Sequence, residues 1–76
     1  MNPYEELANA IVAQACVDYR TALAKLKYAP HHAQALADKK EIEKFFLSPW
    51  FMLLTNLDGK RLMNTIRNEY VNRRTR

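Results

Sequence analysis

The sequence contains few of the residues that interrupt regular structure, form covalent bridges or bind metals. Its 76 residues include one glycine, three prolines, one cysteine and two histidines. A single cysteine excludes an intramolecular disulfide and is typical of a reducing compartment. Cys16 lies in an apolar helical pattern, where we expect a small buried hydrophobe. His31 and His32 are adjacent, so they point in different directions from a helix and do not predict a metal site.

Long apolar segments and catalytic motifs are also missing. The longest apolar cluster, 45–54, is interrupted by Ser48 and Pro49, and a membrane span needs about 18 consecutive apolar residues. The first ten residues are acidic where a signal peptide would be basic. Gly59 alone cannot form a phosphate-binding loop, and Ser48 lacks the flanking glycines of a nucleophile elbow. We therefore expect a cytoplasmic binding module without a cofactor, and not an enzyme.

The composition is rich in apolar residues for so short a chain. They make up 49% of the sequence, although a domain of this size buries only about 60% of its unfolded surface. We expect one helical domain over 1–76. Either its core is unusually apolar, or part of this surface is buried in a homo-oligomer.

The few proline and glycine residues divide the chain into predicted helices. In the first helix, apolar residues from Tyr4 to Leu26 recur at spacings of three and four, which indicates one buried face. Asn2 and Ser48 are suited to cap helices that begin with proline, and Asn56 or Asp58 can cap the last one. The predicted helices run over about 3–28, from 31 to the boundary at 48–49, over 49–54 and over about 59–72, with 73–76 as a frayed basic tail.

No segment alternates between apolar and polar residues as a strand does, so the predicted fold class is all-α. It consists of three principal helices plus one short helix. The short connection at Pro30 predicts an antiparallel helical hairpin, followed by a basic C-terminal helix. Within the first helix, we expect Tyr19 to be a core residue with solvated neighbours. The alternative is a polar patch that meets the turn at 55–59.

Positive charge is concentrated in the last third of the chain. The net charge is +4, and residues 1–55 hold six basic and six acidic groups, whereas residues 56–76 hold six basic and two acidic ones. Lys60, Arg67 and Arg74 recur every seven residues and form a basic line on one helix face. Glu69 and Arg73 are four apart and are expected to neutralise each other. The basic line either complements the helix dipole and aids solubility, or binds phosphates.

Aromatic residues are dense between Phe45 and Phe51, with four rings in seven positions. They form either the core junction of the helices or a surface from which one ring, Trp50, stacks on a base or fills a pocket of a partner. The candidate binding residues are Lys60, Arg61, Arg67 and Arg74 for phosphates, Trp50, Phe51 and Tyr70 for stacking or interface contacts, and Thr55 and Asp58 in a polar turn.

Several short motifs are distributed over most of the chain, roughly residues 9–69. They are Ala10-Ile11-Val12, Asp18-Tyr19-Arg20, Ala22-Leu23, the run from Glu43 to Phe51, Leu54-Thr55, Asp58-Gly59 and Leu62. Together they resemble small helical proteins encoded by phages and integrative mobile elements of Firmicutes. Pro49 departs from the resemblance, since a polar or charged residue is usual there.

The resemblance implies a non-enzymatic protein of a phage or mobile element. Such proteins commonly either counter host immunity or bind nucleic acid during replication or transcription control. The leading hypothesis is therefore a counter-defence protein that captures an anionic nucleotide-like ligand or blocks the nucleic-acid-binding surface of a defence protein. The alternative is a nucleic-acid-binding accessory protein, and a plain oligomerisation protein is a third possibility. The expected partner is anionic: a nucleotide signal, a nucleic acid or an acidic protein surface. We expect no membrane to be involved, and a homo-oligomer is possible.

Overall fold

The computed structural model describes the backbone of residues 2–74 and the side chains of residues 2–70. Within that part of the chain, four α-helices and no strand are present, so the predicted all-α class is confirmed. None of these helices combines the length and the apolarity that crossing a membrane requires. The helices are α1 (Pro3–Tyr28), α2 (Ala33–Phe46), α3 (Pro49–Leu54) and α4 (Gly59–Arg74).

Side-chain caps begin the helices where the sequence predicts them. The Asn2 side chain accepts the amides of Tyr4 and Glu5, and Ser48 Oγ accepts the amide of Phe51 at 3.2 Å. Of the two candidates for α4, the cap is Asp58, whose Oδ1 accepts the amide of Arg61 at 3.2 Å. Each cap satisfies an amide that has no partner within its own helix.

Two helix ends differ from the prediction. The second helix begins at Ala33, because His32 has extended backbone and its Nδ1 accepts the Ala35 amide at 3.1 Å as the N-cap. The last helix continues to Arg74, beyond the predicted end near residue 72. Residues 73 and 74 are thus helical, which differs from the frayed tail predicted for 73–76, and residues 75 and 76 lie outside the described residues.

The first two helices form the predicted antiparallel hairpin. Ile11 lies beside Phe45 in one hollow of the surface, and Lys25 lies beside Asp38 in the next. Residue numbers therefore increase along α1 in the direction in which they decrease along α2. The 26 residues of α1 span about 39 Å, whereas the 14 of α2 span about 21 Å. Because α1 is longer, Tyr4 is 83% exposed. The buried face predicted to start at Tyr4 is therefore wrong at its first turns.

An aromatic and aliphatic core lies where α4 crosses the hairpin. Tyr19, Phe46, Phe51 and Ile66 are fully buried, and Met63 is 7% exposed. The Phe46 ring meets the rings of Tyr19 and Phe51 edge-on at centroid distances of 5.6 and 5.7 Å. Such edge-to-face contacts add to the free energy of apolar burial.

Gly59 permits the close approach of α4 to the end of α2. A Cβ at this position would overlap the carbonyl oxygen of Phe46 and lie 3.1 Å from the Phe51 ring. No positive φ is involved, so the requirement for glycine here is one of space. This approach fixes how the C-terminal helix sits on the hairpin.

Candidate functional site

One face of the α1–α2 hairpin is left uncovered. It contains two adjoining hollows of ≈ 400 and ≈ 280 Å³ that share Asp18 and Ile42. None of the described residues lining them belongs to α4. We call this surface the hairpin groove, and its lining residues are Ile11, Gln14, Ala15, Asp18, Thr21, Ala22 and Lys25 from α1, Asp38, Glu41, Ile42 and Phe45 from α2, and Trp50 from α3.

The hairpin groove lies on the opposite side of α1 from α4. Asp18 lines the groove, whereas Arg20 reaches Glu69 of α4. Two positions correspond to about 200° around a helix, so these neighbours face opposite ways. α4 therefore covers one face of the hairpin and leaves the other open.

The groove has an apolar floor and an acidic rim. Ile11, Ala15, Ile42 and Phe45 are partly buried and form the floor. The charged lining residues are the carboxylates Asp18, Asp38 and Glu41 and the cation Lys25. The groove is thus locally acidic on a chain whose net charge is +4.

Trp50 closes one end of the groove. Ser48 and Pro49 begin α3 and place Trp50 in its first turn, where the ring is 54% exposed. The ring meets Phe45 edge-on at 5.4 Å, and Phe45 in turn meets Phe51 at 5.5 Å. Each of the two alternatives for the aromatic run thus holds for some of its rings, since Trp50 is exposed while Phe46 and Phe51 are buried. The contact with Phe45 connects the exposed ring to the core.

The two other predicted stacking residues make contacts within the fold. Phe51 is 0% exposed, so its prediction as an interface residue is wrong: the first turn of α3 directs it into the core beneath Gly59. Tyr70 is partly buried, and its hydroxyl donates to the backbone carbonyl of Arg20 at 3.0 Å. Tyr70 therefore joins α4 to α1.

Among the residues with described side chains, the predicted phosphate-binding cations do not line one common hollow. Lys60 and Arg67 are exposed on one stripe of α4. Arg61 lies about 100° around the helix, in a separate hollow of ≈ 200 Å³ with Leu57 and Thr65. The side chain of Arg74 lies outside the described residues. Lys60, Arg61 and Arg67 do not line either hollow of the hairpin groove.

A cluster of polar side chains joins α1, α2 and α4. The buried Tyr19 hydroxyl donates to Glu43 Oε2 at 2.6 Å, and Lys39 Nζ lies 2.9 Å from the same oxygen. Burial raises the pKa of Tyr19, and the bond to Glu43 raises it further, so the phenol stays protonated. Burial alone would raise the pKa of Glu43, but the Tyr19 bond, Lys39 and Arg67 together lower it. The carboxylate is thus held in its charged form.

The neighbours of Tyr19 also have defined partners. Arg20 Nε lies 3.3 Å from Glu69 Oε2, and Arg20 Nη2 donates to Oε1 at 3.4 Å. The predicted partner of Glu69, Arg73, has its side chain outside the described residues. Tyr19 is the expected core residue, and the alternative of a patch meeting the 55–59 turn is wrong, since the hydroxyl bonds to α2.

The predicted polar turn is occupied by local contacts. Thr55 Oγ1 accepts the amide of Leu57 at 3.2 Å, and Asp58 caps α4. Beside this turn lies an exposed apolar surface that we call the α3 tip. Its residues, which are between 57% and 85% exposed, are Leu47, Met52, Leu53 and Leu57.

The remaining reactive groups do not form a chemical site. Cys16 is partly buried, and burial raises the pKa of its thiol against the opposing effect of Arg20. A protonated thiol is a weak nucleophile. Among the described residues, no three histidine, cysteine or acidic side chains are grouped as a metal site requires.

Sequence reasoning missed the hairpin groove. Asp18, Asp38 and Glu41 have the spacing of ordinary solvated helix charges, and the pairing of α1 with α2 is what brings them to one rim. In an antiparallel hairpin, later residues of α1 lie beside earlier residues of α2. Applying this pairing to the predicted helices would have placed Asp18 near Ile42. Comparisons of the chain with protein-family models, curated proteins and solved structures found no match.

Proposed function

We propose that this chain is a non-enzymatic binding protein that uses the hairpin groove and Trp50 to hold a partner protein. The observation that carries the proposal is the open face itself: an apolar floor with an exposed tryptophan at its end. Tryptophan is enriched among the residues that dominate interface energies, because it combines a large apolar area with an N–H donor. Its contact with Phe45 holds the ring in place before binding.

The resemblance to phage and mobile-element proteins suggests what such binding achieves. We propose a counter-defence role in the cytoplasm of a bacterial host, in which the chain covers the nucleic-acid-binding surface of a defence protein. Such surfaces are basic, and the rim carboxylates Asp18, Asp38 and Glu41 have the complementary charge. The proposal keeps the protein-blocking form of the leading hypothesis. It replaces the anionic partner expected from the sequence by a partner with a basic surface.

Site-specific photocrosslinking in host cells tests this proposal. A photoreactive phenylalanine analogue is placed at Gln14 or Glu41 on the groove rim, and at Asn64 or Asn68, which are exposed on α4, as matched controls. We expect the same partner protein to be captured from both rim positions and from neither α4 position. Capture should be lost when Trp50→Ala is added. Capture from the α4 positions, or capture that Trp50→Ala does not change, would contradict the proposal.

A second candidate function uses the basic side of α4. Lys60 and Arg67 are exposed and one heptad apart, which is about 10.5 Å along the helix. Two cations on one helix face attract the phosphates of a nucleotide-like ligand or of a nucleic-acid backbone. Neither cation lines the hollow that contains Trp50, and the Tyr70 hydroxyl is bonded to the carbonyl of Arg20. Charge is therefore what supports this candidate.

Native mass spectrometry of the protein purified from its expression host distinguishes the second candidate from the first. A bound nucleotide would add a defined mass of a few hundred daltons, and bound nucleic acid would be polydisperse and removed by salt. We expect a species without added mass, since the proposed partner is a protein. A defined added mass that disappears in Lys60→Ala/Arg67→Ala would establish the second candidate in place of the first.

A further inference from the structure

We propose that the occupant of the hairpin groove is an amphipathic helix of the partner with lysine or arginine beside its apolar stripe. This inference rests on the proposed function and specifies its partner. The groove runs between two antiparallel helices, as a third helix would require. On α1 the lining extends from Ile11 to Lys25, which is about 21 Å or four turns. A helix of about 14 residues would fill that length.

The packing of α4 shows how this hairpin holds a helix. On the covered face, α4 inserts Met63 and Ile66 into the core, and Arg20 pairs with Glu69 at the edge of the contact. The open face has the same two features: a partly buried apolar floor and charged groups along its edge. A second helix on that face would complete a four-helix arrangement, in which the hairpin is covered on both sides.

The charge of the rim selects the kind of helix. Asp18 and Glu41 border the hollow that contains Trp50, and Asp38 borders the adjoining one, where Lys25 is the opposing charge. An incoming acidic helix would meet like charges, which disfavours binding, whereas basic side chains would find carboxylates on both α1 and α2. The groove therefore favours a basic helix over an acidic one with the same apolar residues.

A second copy of this chain is a poorer occupant. Two grooves docked symmetrically would place the carboxylates of one rim against those of the other. The chain's own basic helix, α4, has its apolar residues Met63 and Ile66 already buried against the hairpin. Its free sides present Lys60, Arg61 and Asn64, which are exposed and polar. The occupant is thus expected to come from another protein.

Two designed peptides provide the test. Both have the same leucine stripe over about four helical turns, and the flanking positions carry either lysine or glutamate. Each is titrated into isotope-labelled protein, and NMR chemical shifts report the site. We expect the lysine peptide to shift the amides of Ile11, Ala15 and Ile42 and the indole N–H of Trp50. The glutamate peptide should bind at least about tenfold more weakly, since several like-charge contacts add up.

Charge variants make the test specific to the rim. Asp18→Asn and Glu41→Gln should each weaken binding of the lysine peptide by roughly two- to fivefold at low salt, as expected for exposed ion pairs. Glu6→Gln serves as the matched control, because Glu6 is exposed in the first turns of α1 away from the groove. It should leave the affinity unchanged.

The inference and the proposed function fail in different ways. Three peptide results would overturn the basic-helix inference: equal affinity for the two peptides, shifts confined to the α3 tip, or no binding of either peptide. The proposed function would still stand if crosslinking from Gln14 and Glu41 captures a partner. Chemical shifts at Ile11 and Trp50 that change with protein concentration in the absence of peptide would show that a second copy of the chain occupies the groove. Crosslinking from α4 positions instead would remove the proposed function and this inference with it.

Discussion

At the residue scale, Gly59 lies where the first turn of α4 meets the carbonyl end of α2. Replacing a helical glycine by alanine ordinarily stabilises a helix by about 1 kcal/mol. Here the added Cβ would overlap the backbone of Phe46, which cannot move aside as a flexible side chain could. We expect Gly59→Ala to lower the free energy of unfolding by about 2–3 kcal/mol, as overpacking does in cores.

Chemical denaturation of Gly59→Ala measures this effect. Asn64→Ala is the matched control, because Asn64 is exposed in the same helix and alanine has the higher helix propensity. The control should be neutral or slightly stabilising. A Gly59→Ala variant as stable as the parent chain would show that the close approach to Phe46 does not constrain the fold.

Also at the residue scale, Tyr19 and Glu43 form a charge-assisted hydrogen bond between α1 and α2. Removing the hydroxyl in Tyr19→Phe leaves the ring in the core and takes one donor from the carboxylate. We expect a loss of about 1–2 kcal/mol in unfolding free energy at neutral pH, because Glu43 keeps its contact with Lys39. The NMR-measured pKa of Glu43 should also rise. An unchanged pKa would contradict the assigned hydrogen bond.

The same carboxylate makes stability depend on pH. Burial raises the pKa of Glu43, but the Tyr19 hydrogen bond, Lys39 and the charge of Arg67 outweigh it, so the folded pKa lies below its ordinary value. Its contribution is therefore fully present above the unfolded pKa, about 4.3 for glutamate, and is lost as the pH falls through the lower folded value. We expect Glu43→Gln to flatten the loss of unfolding free energy between about pH 5 and pH 3. An unchanged slope in that range would show that other carboxylates dominate.

At the scale of helices, Arg20 and Glu69 join α1 to α4 through two contacts of 3.3 and 3.4 Å. Their side chains are 44% and 43% exposed, so solvent screens the pair. A double-mutant cycle with Arg20→Ala and Glu69→Ala should give a coupling of about 0.2–1 kcal/mol that decreases with added salt. The absence of coupling at low salt would mean that the pair does not contribute to holding α4.

Helix boundaries were predictable because their signals are local. Asn2 with Pro3 and Ser48 with Pro49 are sequence patterns that begin helices in almost any surroundings, and the structure has both. His32 was placed inside the second helix, since histidine is not an obvious cap and its Nδ1 contact is visible only in three dimensions. Local chemistry thus determined where the helices begin more reliably than which faces they bury.

Contacts between helices were predicted less well, because they depend on how the helices cross. The spacing of Tyr4 with the core residues of α1 is correct, but α2 is too short to cover it. Phe51 and Trp50 are adjacent and equally aromatic, and only the packing of α3 decides which is buried. The sequence therefore offered the exposure of Trp50 as one of two alternatives, predicted an accessible Phe51 wrongly, and did not reveal the acidic rim.

At the scale of the whole molecule, the core is small for the apolar content of the chain. Of the described residues, eight hydrophobic side chains are buried, while ten large ones are exposed. The exposed groups are concentrated at the groove end, at the α3 tip and on the first turns of α1, where Leu7 is 60% exposed. Exposed apolar clusters of this kind mark interaction surfaces.

The α3 tip gives a separate prediction for self-association. Met52 and Leu53 are 75% and 85% exposed and extend from the fold at one end. If the chain forms the homo-oligomer that its composition suggests, we expect the tip to be the contact, since the groove rims repel each other. Met52→Lys/Leu53→Lys should then shift sedimentation toward the monomer, whereas Trp50→Ala should not. The reverse dependence would place the contact in the groove.

We propose that this chain binds a protein through the hairpin groove and not through the basic side of α4. The most direct test measures how tightly the partner that is crosslinked at Gln14 binds three proteins. These are the parent chain, Trp50→Ala and Lys60→Ala/Arg67→Ala. Circular dichroism first shows that each of them is folded. The account predicts that Trp50→Ala weakens binding by more than about tenfold, as an interface anchor does. The double cation variant should change it by less than about threefold, since its charges lie on another face. A large loss with the cation variant and none with Trp50→Ala would contradict the account.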